Sequence, residues 1–365
     1  MRTYPLKTMG LEEAKRMQFR LVDLIQQEFN GKEILNAGDY GIVPGLGRPA
    51  YTAKVEHVLA RFFESEEAIL VRGAGTGGMR MLLMSLLAPG ETLLVHEAPV
   101  YPTTETTIKA MSLTVVRADL NDLQKVRAVV EETQPKLALI QHTRQRFADS
   151  YDVRQVIEAI KERAPGTIVA VDENYAAFKV PRLGCQLGAD ISTFSLFKLL
   201  GPEGVGCVIG RKVLIDKIRA INYSGGSQVQ GPEAMEALRS LVFVPVIQAV
   251  QGEVVKETVR RLNAGEVPGV AQACAANAEE RIVLVQFTEP VAEKVLEYAW
   301  RYGAAPYPVG SESRYEVAPM FYRVSATFLT ENPSLGQTTI RVNPMRAGAD
   351  TVIRILNKVL AEATH

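Results

Sequence analysis

An alternation running from residue 67 to residue 210 limits the fold of this chain more than any other feature. Strand-length apolar runs follow one another: EAILVR (67–72), ETLLVHE (91–97), LTVVRAD (113–119), KLALIQHT (136–143), TIVAVDE (167–173), DISTFS (190–195) and GVGCVIG (204–210). Helical patterns fill several of the gaps. Strands alternating with helices predict an α/β fold, with a mainly parallel sheet between helices in three αβα layers.

The flanks read differently. Helical periodicity over 12–31 ends at a glycine. The stretch NAGDYGIVPGLGRPAY (36–51) is a Gly- and Pro-rich loop, and a helix follows over about 52–64. After SGGSQVQGP (224–232) a long helical segment covers 233–263, with Pro245 as a kink. RIVLVQF (281–287), a helix over 290–302, TTIRVNP (338–344) and a last helix over 349–363 form a smaller C-terminal α/β domain. The expected division is an arm over 1–50, a large domain over 51–245 and a small one over 246–365.

Composition narrows the function. Of the 365 residues, 47% are hydrophobic and 22% charged, and 41 basic side chains balance 41 acidic ones. A chain without net charge has no electrostatic footprint for nucleic acid or an anionic membrane, so a small molecule is the expected partner. The apolar run LVFVPVIQAV (241–250) is too short to span a bilayer. Three cysteines without a CxxC, and a start without a signal-peptide core, fit a reducing cytoplasm. The four histidines have no metal spacing, and HExxH, GxSxG and GxxxxGK[ST] are absent from the sequence.

Three stretches carry chemistry. GAGTGG (73–78) fits G-x-G-x-x-G between a strand and a helix, where backbone amides bind phosphate. With Glu97 closing the next strand, it also fits a nicotinamide-binding fold. TIVAVDE sets Asp172 at the carboxyl end of a strand, where ligands of open α/β sheets collect. Taken alone, Asp172 also fits a turn or helix cap. STFSLFKLLGPEGVG (192–206) surrounds Lys198 with apolar residues. Either its stem packs while the ammonium reaches solvent, or the amine faces a pocket. There, desolvation lowers its pKa, and the neutral amine forms a Schiff base with an aldehyde. Thr193 and Ser195 share a strand face and could donate to a phosphate nearby. One ligand asks for a phosphate cradle, a carboxylate and a reactive amine together, and that is pyridoxal phosphate. A nicotinamide has no use for the lysine.

GAGTGG, VDENYA and STFSLFK, in this order, resemble fold-type I pyridoxal-phosphate-dependent enzymes. The likeness runs from about residue 40 to the last strand. It is greatest to the Cys/Met-metabolism lyases, to the class V aminotransferases and to an uncharacterised bacterial subgroup. The resemblance implies the transferase-like fold of that class, with Lys198 carrying the Schiff base and Asp172 on the pyridine nitrogen. It implies Gly75, Thr76, Gly77 and Ser195 around the phosphate, together with Thr193, and Tyr101 stacked on the ring. Arg341 would grip the substrate carboxylate, to which a planar guanidinium is matched.

The chain also departs from the pattern. QHTRQR (141–146) stands where relatives place an asparagine against the ring hydroxyl; Gln145 is assigned to that role, with His142 second. Tyr40 and Arg48 are present, but at a stretched spacing from the usual pair that reaches a neighbouring subunit's phosphate. SGGSQ (224–228) offers amide donors across a dimer interface. The expected protein is a cytoplasmic homodimer acting on an amino acid or small amine, most simply an aminotransferase. A Cβ/Cγ lyase is the alternative, and an NAD-dependent oxidoreductase using GAGTGG and Glu97 the second.

Overall fold

The computed structural model describes residues 2–223, 226–277, 282–309, 312–325, 328–329 and 332–363. The chain divides into two compact units. The larger comprises Lys15–His142 and Tyr151–Pro245; the smaller comprises Met1–Ala14, Thr143–Ser150 and Val246–His365.

The larger unit is built on seven strands: β1 (Glu67–Arg72), β2 (Thr92–His96), β3 (Thr114–Ala118), β4 (Leu137–Gln141), β5 (Ile168–Asp172), β6 (Ile191–Ser195) and β7 (Val205–Gly210). Their order in the sheet is β1-β7-β6-β5-β4-β2-β3. Neighbours from β3 through β6 pair in parallel. Only β7 runs against both of its neighbours. The sheet is thus mainly parallel, as the alternation predicts; apolar periodicity places a strand but does not give its direction.

Helices cover both faces, which is why β6 and β7 are buried along their whole length. The pleat sorts each strand's side chains between two cores. Helices α1 (Leu11–Glu28), α2 (Ala50–Phe62) and α3 (Ala74–Leu86) precede β2. In β2, Leu93 and Val95 pack with Leu82, Leu83 and Leu86 of α3, while Leu94 packs with residues of the helix over Val153–Arg163 on the opposite face. Asp152 caps that helix by accepting the Gln155 amide at 3.0 Å. The loop before the helix over Ala50–Phe62 is pinned by Asp39, whose carboxylate accepts the amides of Ala50 and Tyr51 at 2.7 and 2.9 Å.

The parallel pairing brings strand ends together. Gln141 at the end of β4 is in register with Asp172 at the end of β5, and Asp172 is in register with Thr193 of β6. Ser195 therefore stands one pleat beyond Thr193, past the level at which β5 stops.

The smaller unit holds a four-stranded antiparallel sheet in the order β10-β11-β9-β8. Its strands are β8 (Val270–Ala276), β9 (Ile282–Phe287), β10 (Met320–Arg323) and β11 (Thr339–Asn343). Val283, Val285, Ile340 and Val342 of this sheet pack with Val255, Leu262, Val295, Val352, Leu356 and Val359 from three helices. The helical segment over 233–263 is two helices, Gly231–Leu241 and Val244–Asn263. Pro245 is the second residue of the latter, a position whose amide has no helical acceptor in any case. Among the described residues no single helix is long and apolar enough to cross a membrane.

Candidate active site

Two turns in the larger unit build the site. The first follows β1. Gly73 adopts a left-handed conformation, φ 93°, and its amide and that of Ala74 donate to the Gly204 carbonyl at 2.7 and 3.0 Å. Helix α3 begins there, and its Gly77 amide donates to Gly73 O at 2.7 Å. The Gly75 and Thr76 amides precede this first bond and are the orphan donors of the helix start. Both residues line a cavity, at the end of α3 where the helix dipole favours an anion. A Cβ on Gly75 would overlap the Asn174 side-chain amide, which would have to shift to admit it.

The second turn follows β6. A single 3₁₀ turn, Phe197–Leu199, is closed by Leu200 at φ 64°. Ser195 Oγ accepts the Lys198 amide at 3.3 Å. The turn takes Lys198 out of the strand and into the wall of the same cavity, half-buried. Its Nζ lies 3.7 Å from the centre of the Tyr175 ring and 5.8 Å from that of Tyr101.

Asp172 lines the cavity from the end of β5 and is buried. Burial pushes its carboxyl above the ordinary range, against the opposing pull of two Asn174 hydrogen bonds and the Lys198 charge. Asn174 donates to Asp172 Oδ1 from its backbone N–H at 3.0 Å and from Nδ2 at 2.7 Å.

The structure thus brings together Lys198, Asp172, Tyr101, Gly75, Thr76 and Ser195. It leaves several of the expected residues outside that cavity wall. Gly77 spends its amide inside α3, and a Cβ on it would fall on the Arg72 carbonyl, so its smallness serves packing. Thr193 is fully buried, and its hydroxyl donates to Cys207 O at 3.1 Å. It shares a strand face with Ser195 but sits under α3, where a Cβ on Gly78 would meet it. His142 is buried with Glu173, Nδ1 to Oε2 at 2.6 Å, and donates its backbone amide to Asp172 O at 3.0 Å. Gln145 belongs to the smaller unit, where its amide donates to Asp149 Oδ2 at 3.1 Å.

Arg341 also lies in the smaller unit. It stands within β11, an internal strand, with its guanidinium 4.0 Å from the centre of the Tyr322 ring and Nε donating to Arg323 O. Arg48 is committed within the chain: its Nε lies 2.8 Å from Glu56 Oε2, a buried carboxylate that also takes Arg219 at 2.9 Å. Of SGGSQ, Ser224 and Gly225 lie outside the described residues. Glu97 is exposed beyond β2 and is not part of the cavity wall.

Sequence reasoning missed Gln141, Thr103, Asn174 and Tyr175, which also line the cavity. The signal for the last two was available: residues just after a strand end lie in the same crevice as the strand-end acid. Thr103 comes to within 3.2 Å of Thr76, hydroxyl to hydroxyl.

These groups fit pyridoxal phosphate. The cavity offers a primary amine for its aldehyde, orphan amides and hydroxyls for its phosphate, and a buried carboxylate for its ring nitrogen. The buried Asn174 Oδ1, packed against Gly75, has no hydrogen-bond partner.

Comparison with known proteins agrees. Residues 50–240 match the family model for class-V aminotransferases, and residues 256–356 match the YhfS-like C-terminal domain. The chain is 51% identical over 361 residues to the uncharacterised protein YhfS of Escherichia coli (strain K12), covering 99% of each. The crystal structure of the pyridoxal-5′-phosphate dependent protein YhfS from Escherichia coli superposes with a TM-score of 0.97 at 50% identity, over 99% of this chain and 100% of that one. A cystathione gamma lyase (CalE6) from Micromonospora echinospora shares the fold, with a TM-score of 0.74 at 20% identity over 95% of this chain and 99% of that one. The nicotinamide alternative is overturned by these relationships. The chain belongs to the class-V aminotransferase family of fold-type I pyridoxal-phosphate-dependent enzymes, in its YhfS-like branch.

Proposed function

We propose that the protein is an aminotransferase for a small amino acid, with Lys198 as its proton carrier. One observation carries the reading: the Lys198 amine, the Asp172 carboxylate and the orphan amides of α3 line a single cavity. That cavity lies inside the segment matching the class-V aminotransferases, residues 50–240.

When bound, pyridoxal phosphate supplies the electron sink that lets a bond at the substrate α-carbon break. The protein's residues then divide the remaining work. The Gly75 and Thr76 amides, with the hydroxyls of Thr76 and Ser195, bind the phosphate. Asp172 holds a proton on the ring nitrogen, and its burial keeps water from competing for that contact. Tyr101 covers a face of the ring. The ring's hydroxyl neighbours its aldehyde, so we assign it to Tyr175, whose ring face carries Lys198 Nζ; His142 is already spent on Glu173. The Lys198 amine would take the proton from the substrate α-carbon and give it up at the carbon that carried the cofactor's aldehyde, a transfer worth about 10²–10⁴ in rate for a well-placed base. Arg341 binds the substrate carboxylate.

Amino transfer is favoured over elimination by the family match, whereas the lyase likeness at 20% identity concerns the fold. Incubation with a mixture of amino acids, with and without a 2-oxo acid, tests the choice. Keto acid formed only with the acceptor present is expected. Ammonia released without an acceptor would replace this reading by the lyase. The reading includes a homodimer. Leu35, Tyr40 and Ile42, which are 83%, 77% and 54% exposed, give the arm an apolar surface to cover. A monomer in size-exclusion chromatography would remove that element.

A further inference from the structure

Asn174 has no role in the chemistry proposed above, yet its geometry is unusual. Its backbone N–H and its Nδ2 both donate to the same oxygen, Asp172 Oδ1, at 3.0 and 2.7 Å. Its own Oδ1 is buried and has no hydrogen-bond partner, a costly state for an amide. That oxygen lies against the first turn of α3, so close to Gly75 that a Cβ there would overlap it. An asparagine kept only to fill space has no reason to sacrifice its oxygen so that its nitrogen can serve a neighbour.

We infer that Asn174 is a positioning residue that locks the Asp172 carboxylate, occupying one oxygen twice so that the other alone faces the cofactor's ring nitrogen. The inference rests on the reading of Asp172 as the ring-nitrogen partner. A free carboxylate has two equivalent oxygens and turns about its χ2 bond; this one is fixed in orientation by a side chain on its own turn. The lock also acts on charge. Burial drives Asp172 towards its neutral form, which cannot balance a pyridinium, and hydrogen bonds donated to the charged form oppose that drift. Asn174 contacts Asp172 on one side and the α3 turn on the other. It therefore also fixes the ring-nitrogen acid relative to the phosphate-binding amides.

A double-mutant cycle read by cofactor binding tests this. The dissociation constant for pyridoxal phosphate is measured by visible absorbance for the wild type, Asn174→Ala, Asp172→Ala and the double variant. With Asp172 present, Asn174→Ala is expected to weaken binding about tenfold; without it, by less than about twofold. Asn174→Asp keeps the shape but turns an acceptor towards the carboxylate. It is expected to weaken binding at least as much as alanine, and it carries the same cycle if the alanine variant does not fold. Equal losses in both Asp172 backgrounds, or an Asn174→Asp variant that binds like the wild type, would overturn the inference, because the residue then only fills space. An Asp172→Ala variant with unchanged affinity is a different failure: it removes the reading of Asp172 itself.

Discussion

The two units present their polar side chains in opposite ways. In the larger unit, strands β4, β5 and β6 run parallel, so their carboxyl ends meet along one edge, and Gln141, Asp172 and Ser195 are delivered to one cavity. None of them points from mid-strand. In the smaller unit, the candidate substrate residue, Arg341, stands in the middle of an antiparallel strand, stacked on Tyr322 and donating to a backbone carbonyl. Parallel topology gathers chemistry at an edge without special residues. An antiparallel sheet offers a side chain one face at a time, and that side chain has to be held by its neighbours.

The largest effect that bears on this contrast comes from Arg341→Ala. If the mid-strand guanidinium binds the substrate carboxylate, removing charge-assisted hydrogen bonds raises KM about 10- to 100-fold with kcat nearly kept. A fall in melting temperature with unchanged KM would make Arg341 a sheet residue and nothing more.

A smaller effect concerns the cost of a charged strand end. The Asp172 carboxyl holds its proton to higher pH than an unfolded carboxyl, because it is buried; Glu173 adds to the rise while Lys198 and Asn174 oppose it. The native state therefore binds more protons than the unfolded state above the ordinary carboxylate range, and stability falls as pH rises through that window. Below the window both states are protonated and the cost is absent. Asp172→Asn apoprotein is expected to melt a few degrees higher than wild type at pH 8 and at the same temperature at pH 3. Equal melting temperatures at both values would show that the carboxylate is not stored at a cost.

The smallest effect separates mid-strand from strand end within β6. Thr193→Val removes one buried hydroxyl bonded to Cys207 O, about 1 kcal/mol of stability, and should leave pyridoxal phosphate affinity untouched. Ser195→Ala should lower that affinity. A Thr193→Val variant that binds the cofactor as poorly as Ser195→Ala would show that Thr193 reaches the phosphate after all.

This pair also shows how far the sequence could be read. All seven strands of the larger sheet are visible as apolar runs, and the strands that present Asp172 and lead into Lys198 are among them. The strands missed were β8 and β10. VAQACAA is small and weakly apolar, and MFYR is four residues long, so neither gives a periodic signal. The sequence does not separate Thr193 from Ser195, because period-two alternation gives the face of a residue and not its depth. Only packing under α3 tells them apart. Asn174 and Tyr175 were missed for a related reason: side chains in a turn have no period, and their directions are set by what they touch.

The covalent chemistry of Lys198 is the claim everything else needs. Borohydride treatment of the cofactor-loaded protein, followed by peptide mass spectrometry, tests it directly. The account predicts loss of the visible band and a pyridoxyl mass on the peptide carrying Lys198, with neither seen in Lys198→Ala. A pyridoxyl group found on another lysine, or a loaded wild-type protein whose band survives reduction, would contradict it.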